Sequence, residues 1–317
     1  MYQHKDLLGL RGVSAEEITD ILDVADTMKE ILRSGNKKTP HLQGKSIVTL
    51  FYENSTRTRM SFELASKYMS AASANIAAGA SSVKKGETLM DTGRTLDRMG
   101  TDIIIIRHPV SGAPHMLAKC VRSAVINAGD GMNEHPTQAL LDMLTMRQRF
   151  GSLKGLRVAV IGDVMHSRVA RSNIIGLCTM GASVTLCAPP TLMPVGIDKM
   201  GCTIAETTKK CVSGADVVMG LRIQRERQQA GLFPSVAEYC DNWEITPELM
   251  QKANSGAILM HPGPINRGVE VSSDAADSDR SVIDAQVTNG VAVRMALLYM
   301  LTRRELTPFK SEGGNEI

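Results

Sequence analysis

Asp102-Ile103-Ile104-Ile105-Ile106-Arg107-His108-Pro109 decides the architecture. Four isoleucines in a row show no in–out alternation, so a strand built from them must be buried on both faces. Their β-branched side chains favour extended backbone. Arg107 ends the run, far short of the roughly 20 apolar residues that a membrane span requires. The same grammar continues on both sides. Upstream, 47–52 reads as a buried strand, 56–70 as a helix and 88–99 as a helix. Downstream come a helix over 115–121, a short strand over 124–127 and a long helix over 136–150. A helix over 14–33 precedes them all. Ser14 and Glu17 form its capping box, Ile18, Ile21, Leu22, Ala25, Met28 and Leu32 keep one face apolar, and Gly35 stands at its stop.

Gly151-Ser152-Leu153-Lys154-Gly155 marks a boundary, and a second series follows. Strands are expected over 157–161, 183–187, 216–220 and 257–260, and helices over 168–180, 205–212 and 247–253. A final helix over 285–304 carries Val287, Val291, Met295, Leu298 and Leu301 at helical spacing, and the polar tail 308–317 is expected to fray. Strands alternating with helices predict an α/β chain of two domains, each a parallel sheet flanked by helices. The first domain is assigned 1–150 and the second 151–284, with helix 285–304 returning to the first. The length of 317 residues agrees, since domains run to roughly 150 residues. A ligand cleft is expected between the domains, at the carboxyl ends of the strands.

Composition removes several functions. Lys plus Arg is 36 and Asp plus Glu 33, a formal net charge of +3. That gives no general reason to expect nucleic acid as a partner. Aromatic residues are only 3%, too few for a stacking platform. The 19 methionines read as core filler. None of the six cysteines forms a C-x-x-C pair and no His lies at finger-like spacing, so a structural zinc site is not expected; no carboxylate cluster offers another metal site, and no cofactor is expected. With no signal peptide at the start, reduced thiols and a cytoplasmic location are the expectation.

Chemistry concentrates in a few places. Glu53-Asn54-Ser55-Thr56-Arg57-Thr58-Arg59 carries a buried strand straight into a helix start lined with hydroxyls and guanidinium groups. Free backbone N–H groups and the helix dipole favour an anion there. The plainer alternative is that Ser55 caps the helix and the arginines are solvated. Gly129-Asp130-Gly131-Met132-Asn133-Glu134-His135-Pro136-Thr137-Gln138 sets His135 and Gln138 three apart at a helix entrance. His135 could polarise a carbonyl and Gln138 hold an NH₂ group, or His135 could simply cap the helix. Arg107 sits at a strand's carboxyl end, where ligand-binding residues collect, or is a surface arginine. The loop 79–86, with two serines and two lysines, could close on an anion or be merely solvated. In the second half, Gly162-Asp163 ends a strand without the glycine fingerprint of a dinucleotide fold. Arg168, at a helix entrance, and Arg222 with Gln224, after a strand, suit carboxylates instead. His261-Pro262-Gly263-Pro264 makes a stiff turn whose carbonyls could face an NH₂ group. No activated nucleophile appears, so the chemistry reduces to positioning and electrostatic stabilisation.

Together these residues resemble the aspartate/ornithine carbamoyltransferase family. Ser55-Thr56-Arg57-Thr58-Arg59, Arg107-His108-Pro109 and His135-Pro136-x-Gln138 carry the general likeness. Lys85, Arg168, Arg222-x-Gln224 and His261-Pro262-Gly263-Pro264 carry the likeness to its aspartate-specific catalytic chains. The resemblance implies transfer of a carbamoyl group from carbamoyl phosphate to L-aspartate, in pyrimidine synthesis. It implies that Ser55, Thr56, Arg57 and Thr58 hold the phosphate, and that Thr58, Arg107 and His135 bind the carbonyl oxygen. Gln138 with the Pro262-Gly263-Pro264 turn would hold the NH₂ group, and Arg168, Arg222 and Gln224 the aspartate carboxylates. It also implies a homotrimer in which Ser81 and Lys85 enter the site from the neighbouring chain. Regulatory or pathway-enzyme chains are possible further partners. The alternatives are another amino acceptor such as ornithine, or an inactive homologue that scaffolds a partner.

Overall fold

The computed structural model describes residues 2–77, 86–223 and 235–303. Ser81, Lys85, Gln224 and the tail 308–317 lie outside the described residues, as does all of the loop 79–86 except Gly86. The first half runs α1 (Ala15–Arg33), β1 (Ser46–Phe51), α2 (Thr56–Tyr68), β2 (Ala72–Ala77), α3 (Leu89–Arg98), β3 (Ile103–His108), α4 (Ala113–Ala118), β4 (Ala124–Asp130) and α5 (Pro136–Phe150). The second half runs β5 (Arg157–Gly162), α6 (Arg168–Thr179), β6 (Ser183–Cys187), β7 (Thr203–Ile204), α7 (Thr208–Val212), β8 (Val217–Leu221), α8 (Val236–Trp243), α9 (Pro247–Met250), β9 (Ile258–Met260), α10 (Ser273–Ala276) and α11 (Ile283–Thr302).

Two parallel sheets result, in the orders β2-β1-β3-β4 and β7-β6-β5-β8-β9. The isoleucine strand behaves as its pattern dictates. Ile103 and Ile105 enter a core shared with α1, α5 and α11. Ile104 and Ile106 enter a second core, against Leu96 of α3 and Leu117 of α4. All four are fully buried. In the second sheet Val158 and Val160 face the shared core, whereas Ala159 and Ile161 face a third one beneath α7 and α9. Buried methionines, among them Met143, Met146, Met219 and Met295, fill the shared core, as their flexible thioethers allow. The final helix, α11, returns to pack on α1, α2 and α5.

Several elements differ from the sequence expectation. β2 adds an edge strand whose sequence, ASANIA, has neither bulk nor alternation to announce it. β7 is a two-residue edge strand. α8 begins at the Ser235 cap, whose side chain accepts from the Glu238 N–H. α4 starts two residues earlier than expected, because Gly112 at φ 85° turns the chain and Pro114 suits a first helical turn. α7 starts three residues later, where Thr207 caps it. α11 begins at Ile283.

Candidate active site

The carboxyl ends of β1, β3, β5, β8 and β9, with the starts of α2, α5 and α6, open onto one cleft of about 1010 Å³. Every expected site residue that is described lines it: Ser55, Thr56, Arg57, Thr58, Arg107, His135, Gln138, Arg168, Arg222, Pro262, Gly263 and Pro264.

Ser55 is the N-cap of α2, with extended backbone and no side-chain capping bond, so it is not a plain cap. The first turn of α2 holds no acid, which leaves its positive dipole end uncompensated. Arg59 turns away and lies 5.5 Å over the Phe51 ring. Arg57 reaches across to the late turn, where a Cβ on Gly263 would stand 3.0 Å from its Cζ. Gly263 also has φ +64°, so close approach and backbone hand both require glycine. Burial, then the neighbouring Arg222, lower the pKa of Arg57.

Arg107 donates from Nη1 to the Ala128 carbonyl at 3.2 Å, and its Nε lies 3.2 Å from Glu53 Oε2. Arg168 places Nη2 2.7 Å from the same Glu53 oxygen and donates from Nη1 to the Gly131 carbonyl at 3.3 Å. One glycine of the turn leaves room for the Arg168 side chain. A Cβ on Gly129, at φ +113°, would lie 2.8 Å from Arg168 Nε.

His135 is the N-cap of α5, again without a side-chain cap. Its backbone N–H donates to Ser172 Oγ at 2.8 Å, and Ser172 donates to Glu134 Oε2 at 3.0 Å. Its imidazole is held well below its ordinary pKa by burial first, then by Arg107, Arg168 and Arg294. It is therefore neutral at physiological pH and keeps one N–H to donate. Gln138 donates its amide to Asp142 Oδ1 at 3.0 Å. At the far wall the His261 N–H is accepted by Gln286 Oε1 at 3.0 Å, and the Gly263 N–H by His261 Nδ1 at 2.8 Å.

Sequence reading missed four residues here. Glu53 is the one carboxylate among the described lining residues and joins arginines from both halves. Arg294 of α11 sits at the base, 3% exposed, donating to Ser61 Oγ at 3.0 Å and to the Gly290 carbonyl at 2.9 Å, with Phe62 beneath it. Burial lowers its pKa to about 10. The signal available was an arginine inside the apolar stretch 290–301 of that helix. Arg267 stands at the rim, paired with Asp277 through two bonds of 2.7 Å. Asp142 is fully buried behind Gln138. Among the described residues no group of three His, Cys, Asp or Glu could hold a metal ion, and no helix is long and apolar enough to cross a membrane. What the arrangement can do chemically is bind two small anions side by side around a neutral donor.

Two family profiles match the chain. "Aspartate/ornithine carbamoyltransferase, carbamoyl-P binding domain" covers residues 5–148, and "Aspartate/ornithine carbamoyltransferase, Asp/Orn binding domain" covers residues 154–301. The aspartate carbamoyltransferase catalytic subunit of Ruminiclostridium cellulolyticum is 65% identical over 95% of this chain and 96% of its own. That of Acetivibrio thermocellus is 64% identical over 95% and 96%. The structure of Trypanosoma cruzi aspartate transcarbamoylase in complex with carbamoyl phosphate and aspartate is 32% identical. It superposes with a TM-score of 0.84, over 93% of this chain and 95% of that one. With both halves matched in order and near-complete relatives at such identity, the chain belongs to the aspartate/ornithine carbamoyltransferase family.

Proposed function

We propose that this chain transfers the carbamoyl group of carbamoyl phosphate to L-aspartate, releasing N-carbamoyl-L-aspartate and phosphate. One observation carries the reading: the hydroxyl-and-arginine start of α2, the Arg107–His135–Gln138 group and the Arg168–Arg222 pair all line a single cleft. The relatives at 65% and 64% identity bear the name of the aspartate enzyme, which favours aspartate over ornithine as acceptor. A cleft with its motif residues in place speaks against an inactive scaffold.

In this reading the start of α2 holds the phosphate with Ser55, Thr56, Arg57 and Thr58. The amine of aspartate attacks the carbonyl carbon, a C–N bond forms, and the carbonyl oxygen becomes an oxyanion. Arg107, Thr58 and the neutral His135 imidazole donate to that oxygen. Loss of one such donor costs on the order of a hundredfold in rate. Arg57 then stabilises the charge that grows on phosphate as the C–O bond breaks, and the departing phosphate takes up the proton that the attacking amine gives up. Gln138 and the carbonyls of the Pro262-Gly263-Pro264 turn hold the NH₂ group, and Arg168, Arg222 and Gln224 hold the aspartate carboxylates. The first half, 1–150 with α11, thus serves carbamoyl phosphate and the second, 151–284, serves aspartate. Ser81 and Lys85 complete the site from a neighbouring chain in a homotrimer, which works in the cytoplasm in pyrimidine synthesis and could associate with regulatory or pathway-enzyme chains.

The test is carbamoyl-aspartate formation by purified protein, with a panel of amino-acid acceptors beside aspartate. Arg57→Ala is expected to abolish turnover while leaving the thermal melt in place. Near-normal turnover by that variant, or a preference for ornithine, would sink the assignment.

A further inference from the structure

We propose that Asp142 is a positioning residue for donor selection: its carboxylate, buried behind the cleft, fixes which end of the Gln138 amide faces the substrate. The proposal rests on the reading of the cleft given above and refines it.

Asp142 lies one helical turn beyond Gln138 on α5 and is fully buried. An ionised carboxylate accepts hydrogen bonds and cannot donate them. Three amides from three helices turn their NH₂ groups to it. Gln138 of α5 reaches Oδ1 at 3.0 Å, Gln286 of α11 reaches Oδ1 at 2.8 Å, and Asn173 of α6 reaches Oδ2 at 2.9 Å. The acceptor therefore dictates the direction of all three. With its nitrogen committed to Asp142, Gln138 presents Oε1 to the cleft that it lines, and an oxygen there matches an NH₂ group on the donor. The same constraint turns Gln286 Oε1 to the His261 N–H, at the head of the Pro262-Gly263-Pro264 turn. One carboxylate thus orients both walls of the proposed NH₂ pocket. Through Asn173 it is also tied to the helix that begins at Arg168.

A structural role alone explains this arrangement poorly. A buried charge is costly, and well-packed apolar residues often replace a buried charged cluster without loss of stability. What an anion supplies and a neutral group does not is a fixed polarity for its neighbours. Among the described residues the charged group facing Asp142 is Arg294, from α11; its contacts from α5 and α6, Gln138 and Asn173, are neutral amides. Burial raises the pKa of Asp142 to about 6 against the pull of those bonds and of Arg294. Protonated, it becomes a donor and no longer enforces one direction.

The test uses acetyl phosphate, which keeps the phosphate and carbonyl of carbamoyl phosphate but carries a methyl group in place of NH₂. Dissociation constants for both compounds are measured on the wild type and on Asp142→Asn. An NH₂ in place of one carboxylate oxygen releases Gln138 from its single direction. Carbamoyl phosphate is expected to bind about tenfold more weakly and acetyl phosphate to change less than about twofold, the difference being one substrate hydrogen bond. Parallel weakening of both ligands, or an unchanged preference, overturns the proposal. If the variant does not fold, the wild type decides. The preference for carbamoyl over acetyl phosphate should fall as the pH drops through about 6, whereas a flat ratio overturns the proposal, since ionisations common to both ligands cancel in it. Carbamoyl-aspartate formation by the wild type is measured first. Its absence overturns the functional reading itself, whereas an active wild type with a flat ratio overturns the role of Asp142 alone.

Discussion

Glu53 and Asp142 are the two acids of the site, and they are placed in opposite ways. Glu53 lies in the cleft between Arg107 and Arg168, at 3.2 Å and 2.7 Å. Asp142 lies behind the cleft among three amides with Arg294 as its charged neighbour, and there burial outweighs the three hydrogen bonds and the pull of Arg294 and raises its pKa from 3.8 to about 6. That difference has a thermodynamic consequence with a definite sign. A carboxyl raised on folding favours the native state while it is protonated, and this contribution is lost as the pH rises through the folded pKa. A shift from 3.8 to about 6 corresponds to roughly 3 kcal/mol. The difference in unfolding free energy between Asp142→Asn and the wild type should therefore move in the variant's favour, by up to roughly 3 kcal/mol, between about pH 4 and about pH 7. Urea titrations of both proteins across that range measure it, and a difference that stays constant with pH would contradict the placement of this charge. Neither acid was legible as functional in the sequence. Glu53 stands inside the most informative stretch of the chain, yet nothing local distinguishes a carboxylate that bridges two arginines from one that faces water. Asp142 looks like any polar residue of a long helix until α6 and α11 are packed on it.

At the scale of the element, α6 couples the two halves. Ser167 caps it through the Ala170 N–H at 3.1 Å, and its first residue, Arg168, reaches into the cleft. One turn on, Ser172 accepts the His135 N–H and donates to Glu134. Asn173 follows with its bond to Asp142. The Glu134 carboxylate also accepts the Leu10 N–H at 2.8 Å. Ser172→Ala leaves a buried N–H and a buried carboxylate oxygen short of a partner, which costs about 1–3 kcal/mol. The loss should appear in a denaturant melt together with a lower kcat, because the backbone that presents His135 is loosened. A variant with full stability and full kcat would mean that the bond is dispensable. Elements such as α6 were legible because each level of the sequence agrees: a serine cap, an apolar face and a preceding strand of Val and Ile. The small and exposed β2 and the two-residue β7 were not, since their pairing is dictated by neighbours and by nothing within the segments.

For the whole molecule, the near-neutral total conceals a strong local field. The chain carries a net +3, while Arg57, Arg107, Arg168, Arg222, Arg267 and Arg294 line a cleft in which Glu53 is the only carboxylate among the described residues. Five of these arginines stand at strand ends, helix starts or turns, and the sixth lies in α11, more than two hundred residues from Arg57. The sequence could mark Arg57, Arg107, Arg168 and Arg222 by such positions. It offers no sign of Arg267, and of Arg294 only an arginine within the apolar stretch 290–301; both reach the cleft only when the late turn and α11 fold back onto the first half. The depth of the arginines divides their response to salt. Arg267 is an exposed rim residue, open to counterions, whereas Arg168 and Arg294 are 4% and 3% exposed. Charges in solvent are screened within about 10 Å at 0.1 M salt, and buried ones much less. Capture of the two anions should therefore weaken with added potassium chloride, whereas the aligned complex, once formed, should react at an unchanged rate. Between about 0.05 M and about 0.5 M salt, KM for carbamoyl phosphate and for aspartate should rise severalfold with kcat nearly constant. Steady-state kinetics at saturating co-substrate separate the two quantities. A kcat that falls while KM stays fixed would place the decisive charges at the rim, and would contradict a buried cationic floor as the seat of the chemistry.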